Sequence, residues 1–118
     1  MASQYRNLIT ATCQGKLDVL KANKGDILQV MDDYGASLIH YASRAGQLEC
    51  LKWFVKELNA DLSLKSKTGA TPAHDASASG QLSCLKWLMQ QDFRLRSMFD
   101  DYGYTCTHLA ARYDDITS

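Results

Sequence analysis

Apolar residues return at three- and four-residue intervals along two stretches of the chain: Leu48, Leu51 and Phe54, then Leu82, Leu85 and Leu88. That spacing lines one face of an α-helix, and it predicts helices over Leu48–Leu58 and Leu82–Gln91. A shorter helix is expected before each, from about Leu38 to Ala45 and from about Pro72 to Ser79. Gly46 and Gly80 follow these two, where a left-handed residue stops a helix and reverses the chain. A hydroxyl residue stands ahead of each short helix, Ser37 and Thr71, with a third counterpart at Thr105. Each is placed to cap the first unpaired amides, and Pro72 suits the first helical position, where no N–H is needed.

The pattern repeats with a period of 34 residues. Gly35, Gly69 and Gly103 are so spaced, as are His40, His74 and His108, and Cys50 with Cys84 and Trp53 with Trp87. Between Gly35–Glu57 and Gly69–Gln91, 12 of 23 aligned positions are identical, which makes these two copies of one unit. Each unit opens on a polar turn ending in glycine: Asp33-Tyr34-Gly35, Lys67-Thr68-Gly69 and Asp101-Tyr102-Gly103. A tight hairpin that needs positive φ at its last residue accounts for all three. Hairpin, helix, turn, helix is a unit that cannot bury both faces alone, so neighbours must stack.

The expected fold is therefore all-α, a repeat solenoid forming one domain over residues 1–118. Its parts are a capping unit over about 5–31, repeats over 32–65 and 66–99, and a partial repeat over 100–118. The capping assignment rests on Gln14-Gly15-Lys16-Leu17, which parallels Gly46-Gln47-Leu48. The partial one rests on a turn and first helix with no second helix after them. That gap predicts exposed apolar surface near Cys106, Leu109 and Ala110, and it motivates a rival reading: an alternatively terminated product without a binding role of its own.

Composition narrows the function by exclusion. Thirteen basic and thirteen acidic residues leave no net charge, whereas nucleic-acid binders carry a clustered basic excess; no nucleic acid is expected. No secretory core and no membrane-length apolar stretch are present, so the expected address is cytoplasmic, away from the membrane. In that compartment Cys13, Cys50, Cys84 and Cys106 are expected reduced and packed as small apolar residues.

Three histidines at one repeat position invite a metal reading. Stacked helices lie about 8–10 Å apart, while imidazoles sharing a zinc must bring their nitrogens within about 4 Å. No metal or cofactor is expected; each histidine should instead bridge the hydroxyl residue and the neighbouring hairpin backbone. The same spacing argues against a Cys50–Cys84 disulfide. His74, Asp75 and Ser77 are the right types for a nucleophilic triad, but they point in different directions around one helix. No catalytic residue is assigned, and the chain is not expected to be an enzyme. Trp53 and Trp87 share a helix with Leu51 and Leu85 and read as packing residues.

The segment Thr68-Gly69-Ala70-Thr71-Pro72-Ala73-His74 resembles the signature of ankyrin repeats. The structural motif carried over comprises Gly35, His40, Gly69, Thr71, Pro72, His74, Gly103, Thr105 and His108. More narrowly, Gly69 to Leu88, with His40 to Phe54 and His108-Leu109-Ala110-Ala111-Arg112-Tyr113, is similar to the espin family. That resemblance implies an N-terminal ankyrin region of proteins that cross-link parallel actin filaments, as in stereocilia, and a class III myosin tail as partner. Espins carry longer arrays and separate actin-binding segments, so direct actin binding is not carried over to this chain.

Binding residues concentrate on loops held by a rigid scaffold, and aromatics and arginine dominate interface hot spots. The expected partner face is the concave side of the stack, built from Asp33, Tyr34, Arg44, Lys67, Thr68, Ser79, Tyr102, Tyr104, Arg112 and Tyr113.

Overall fold

The computed structural model describes residues 2–25, 27–109 and 111. The helices are α1 (Ala2–Cys13), α2 (Leu17–Ala22), α3 (Leu38–Ala45), α4 (Leu48–Leu58), α5 (Pro72–Ala78) and α6 (Leu82–Gln91), and residues 106–109 form a further helical turn. Short 3-10 segments, Ile27–Gln29 and Phe93–Ser97, follow α2 and α6. Apart from one isolated antiparallel bridge between Met31 and Ser37, no strand pairing occurs among the described residues. None of the described helices is long and apolar enough to cross a membrane.

The expected helix boundaries hold, except that α5 ends at Ala78 rather than Ser79. Ser79 sits just outside the helical region (φ −96°, ψ 1°), and Gly80 takes the left-handed turn at φ 71°. Gly15 and Gly46 do the same ahead of α2 and α4. Two of these reversals are close-packed as well as twisted. A Cβ on Gly15 would lie 2.6 Å from Gln47 Oε1, and one on Gly46 would lie 2.5 Å from Gln81 Oε1.

First helices pack on first helices, α1 on α3 and α3 on α5, and each second helix closes over its own unit. The core runs through every unit, from Leu8 and Leu20 through Ile39, Leu51 and Phe54 to Leu88, Leu95 and Cys106. Trp53 and Trp87 lie half-buried against it, in line with a packing role. Cys50, Cys84 and Cys106 are buried free thiols.

Two expectations about apolar surface are overturned. Cys106 is buried, because the Phe93–Ser97 segment folds back beneath the last turn; its thiol lies 3.6 Å from Leu95 O and 3.9 Å from Met89 Sδ. Leu109 is half-buried, and Ala110 lies outside the described residues. Uncovered apolar surface lies elsewhere: Phe93 and Phe99 after α6 are 79% and 55% exposed, and Leu82, placed on the apolar stripe of α6 by its spacing, is 51% exposed.

Candidate functional site

Each hairpin is built by the same bonds. Asp32 N donates to Ala36 O (3.0 Å) and Gly35 N to Asp32 O (3.1 Å); Ser66 with Ala70 and Gly69, and Asp100 with Tyr104 and Gly103, repeat the pattern. In the outer two the aspartate also caps its own turn. Asp32 Oδ1 accepts from Tyr34 N and Ala36 N, and Asp100 Oδ1 from Tyr102 N and Tyr104 N, all at 2.9 Å. The three turn glycines have φ between 75° and 80°, a conformation that costs other residues about 1–2 kcal/mol.

Backbone bonds tie the tips into a row: Lys67 N donates to Tyr34 O (2.8 Å) and Asp101 N to Thr68 O (2.9 Å). Beneath them, the histidines strap one unit to the next. Ser37 N donates to His40 Nδ1 (3.1 Å), so the ring proton sits on Nε2, which donates to Ala70 O at 2.9 Å. His74 repeats this with Thr71 N (3.1 Å) and Tyr104 O (2.8 Å). His108 makes the local half with Thr105 N (3.2 Å). Both ring nitrogens of His40 and His74 are thus engaged with the backbone, which is the bridging role their spacing predicts. Burial holds the His40 imidazole below its usual pKa, against the opposing pull of the Ala70 carbonyl.

The row presents the expected partner residues unevenly. Asp33, Tyr34, Lys67, Thr68 and Tyr102 are exposed on the tips, with Tyr34 at 72% and Tyr102 at 73%. Tyr104 is exposed at the base of the last hairpin, its ring edge-on to His108 with centroids 6.5 Å apart. Ser79 is half-buried at the end of α5. Arg112 and Tyr113 lie outside the described residues.

Arg44 does not stand free for a partner. Its Nε lies 3.1 Å from Asp75 Oδ2, and its guanidinium carbon sits 4.9 Å from the centre of the Tyr41 ring. Tyr41 in turn donates its hydroxyl to Asp32 Oδ2. Although burial pushes the Asp32 carboxyl up, the hydrogen bonds from Tyr41, Ala36 and Tyr34 outweigh it and hold the group below the usual range. Burial and the bond to Asp32 push the Tyr41 phenol up to about 12. Burial also raises Asp75, with Arg44 pulling the other way. The chain Asp32–Tyr41–Arg44–Asp75 therefore fixes a hairpin to two successive first helices, and Arg44 acts inside it.

Sequence reasoning missed this chain because its residues do not recur from unit to unit: Asp75 stands at the position of Tyr41 and Ala78 at that of Arg44. It also missed a second strap that periodicity could have found. Gln47 and Gln81 each follow a left-handed glycine, and their amides donate backwards to Cys13 O (2.9 Å) and Arg44 O (3.2 Å).

No group of three His, Cys, Asp or Glu side chains among the described residues could hold a metal ion. Ser77 donates its hydroxyl to Ala73 O (2.9 Å) on its own helix, so the site offers no activated nucleophile there. What the row of tips can do is contact: rigid backbone, two projecting tyrosines, and acidic and basic side chains alternating from tip to tip.

A sequence-family profile for ankyrin repeats in three copies matches residues 8–98 and, overlapping, residues 39–117. No match was found among curated proteins.

Proposed function

The chain belongs to the ankyrin-repeat family, whose stacked units generally serve as protein–protein interaction modules, and from that premise we propose that its row of hairpin tips holds a segment of a partner protein. One observation carries the reading. The outer tips have the same sequence, Asp-Asp-Tyr-Gly, and each leaves its tyrosine more than two-thirds exposed on a turn that the first aspartate already holds. A large apolar ring gains nothing for the fold in that position, while a pre-ordered aromatic gives contact area with little further entropy loss on binding. Binding is the only chemistry assigned, and the fold is typically that of a non-enzymatic module.

The finer reading rests on the resemblance to the espin family: the partner is the tail of a class III myosin, and the setting is the cytoplasm along actin bundles. Titration calorimetry of the chain with such a tail tests both levels. Tyr34→Ala with Tyr102→Ala should weaken binding by at least about 2 kcal/mol, roughly thirtyfold, with the melting temperature unchanged. Full affinity in the double variant would remove the tips as the face. A tail that fails to bind the wild-type chain would remove the myosin assignment and leave the tips to be tested on another partner.

A further inference from the structure

We propose that Ser66 is a phosphorylation site, at which a phosphoryl group takes the turn-capping place that Asp32 and Asp100 fill in the neighbouring hairpins. The inference stands apart from the partner role of the hairpin tips.

Asp32, Ser66 and Asp100 share one repeat position, the first residue of each hairpin turn. In the outer turns a single carboxylate oxygen accepts from two amides, those of Tyr34 and Ala36 or of Tyr102 and Tyr104, all at 2.9 Å. The corresponding amides of the middle turn belong to Thr68 and Ala70, and neither meets an acceptor among the described residues. The Ser66 hydroxyl pairs instead with Thr68 Oγ1 at 3.1 Å. Side-chain length explains the difference: a serine oxygen stands one bond from Cβ and a carboxylate oxygen two, so the hydroxyl falls short of the place between the amides. The backbone of the middle turn is otherwise that of its neighbours. Ser66 N donates to Ala70 O and Gly69 N to Ser66 O, both at 2.9 Å, and Gly69 has φ 77°. The middle turn thus presents the same pair of amides with no carboxylate to receive them.

A phosphoserine oxygen stands three bonds from Cβ, so it reaches the pair, and it brings the negative charge that strengthens a bond from a backbone amide. That charge is about −1.5 to −2 at neutral pH. Exposed Lys65 and Lys67 flank Ser66, where the outer turns have Met31 and Asp33 or Phe99 and Asp101. The opposing charge is Asp101, which lies close against Gly69. Ser66 is itself half-exposed, and a turn short of two capping bonds opens to an enzyme at less cost than its neighbours. In the transfer, the terminal phosphorus of a nucleoside triphosphate loses its bond to the diphosphate leaving group and gains one to Ser66 Oγ, while the hydroxyl proton passes to a base of the kinase. The added phosphate offsets the two lysines. It also ties down the hairpin that bonds to both neighbours, through Lys67 N to Tyr34 O and Asp101 N to Thr68 O.

Phosphopeptide mass spectrometry of the chain isolated, under phosphatase inhibition, from the cells that make it should find phosphate on Ser66. A chain unmodified at Ser66 overturns the proposal, as does phosphate confined to Thr68. The capping role is read separately by nuclear magnetic resonance on the full chain carrying phosphate on Ser66. Hydrogen exchange of the Thr68 and Ala70 amides should slow at least about tenfold, as for bonds to a charged acceptor, and their resonances should shift together as the phosphate titrates at about pH 6. Ser66→Asp should slow the same two amides and Ser66→Ala should not. Amides that exchange as fast with the phosphate as without it would put the group in solvent and overturn the cap.

Discussion

Replacing His74 by alanine isolates the strap between units, because the chain carries its own control in His108. His74 is fully enclosed and joins three groups: it accepts from Thr71 N–H at 3.1 Å, pairs with Thr71 Oγ1 at 2.8 Å, and donates to Tyr104 O at 2.8 Å. Each hydrogen bond contributes about 1 kcal/mol net, and a buried donor left unpaired costs about 1–3 kcal/mol. Thr71 is itself buried, so its N–H has no water to turn to. Together with the space left by the ring, the expected loss is about 3–4 kcal/mol, a large part of the stability of an ordinary domain. His108 is exposed and makes the same local bonds to Thr105, so His108→Ala should cost only about 1 kcal/mol. Urea unfolding followed by circular dichroism would give both values from the midpoints, with the slope against denaturant unchanged. Equal losses in the two variants would refute the argument, since the bond to the next hairpin would then contribute nothing. A loss below about 1 kcal/mol for His74→Ala would refute it equally.

Acidification should act through His40. Its folded pKa is lowered, so the unfolded chain binds the proton first; the stabilisation is complete above the unfolded value near 6.5 and declines as the pH falls below it. Its slope is at most about 1.4 kcal/mol per pH unit, and a His40→Gln chain should lack that component in parallel thermal melts. Gly69→Ala should destabilise more than Gly103→Ala. A Cβ on Gly69 would meet Asp101 N at 2.8 Å, while nothing lies within 4 Å of one on Gly103, so Gly103→Ala bears only the conformational cost of about 1–2 kcal/mol. Similar melting temperatures for the two would contradict the close approach. Arg44→Ala leaves the largely buried Asp75 carboxylate without its cation and should cost about 2 kcal/mol at neutral pH, a figure reduced for the half-exposed arginine. Measured by urea unfolding, that deficit should shrink on acidification as Asp75 takes up a proton; a deficit independent of pH would argue against the ion pair.

The helices, their order and the hairpins were legible in the sequence because each depends on a local rule repeated 34 residues apart. The apolar stripe sets α4 and α6, a hydroxyl and a proline start α5, and glycines at φ above 70° stop the helices and form the turns. The histidine bridge was legible too, since its local half lies three residues from the hydroxyl and its far partner recurs with the period. Exposed Tyr34 and Tyr102 followed from their place in the turns.

What the tertiary structure decided is where side chains meet across units at positions the period does not equate. Arg44 looks like a surface residue in the sequence, yet Asp75 on the next unit's helix and Tyr41 on its own hold it in place. Cys106 is buried by the 3-10 segment that follows α6, and Leu82 is left open although its spacing is that of a core residue. Periodicity states which face of a helix is apolar; whether that face is covered depends on whether a neighbour stands beside it, and only the packed structure contains that information.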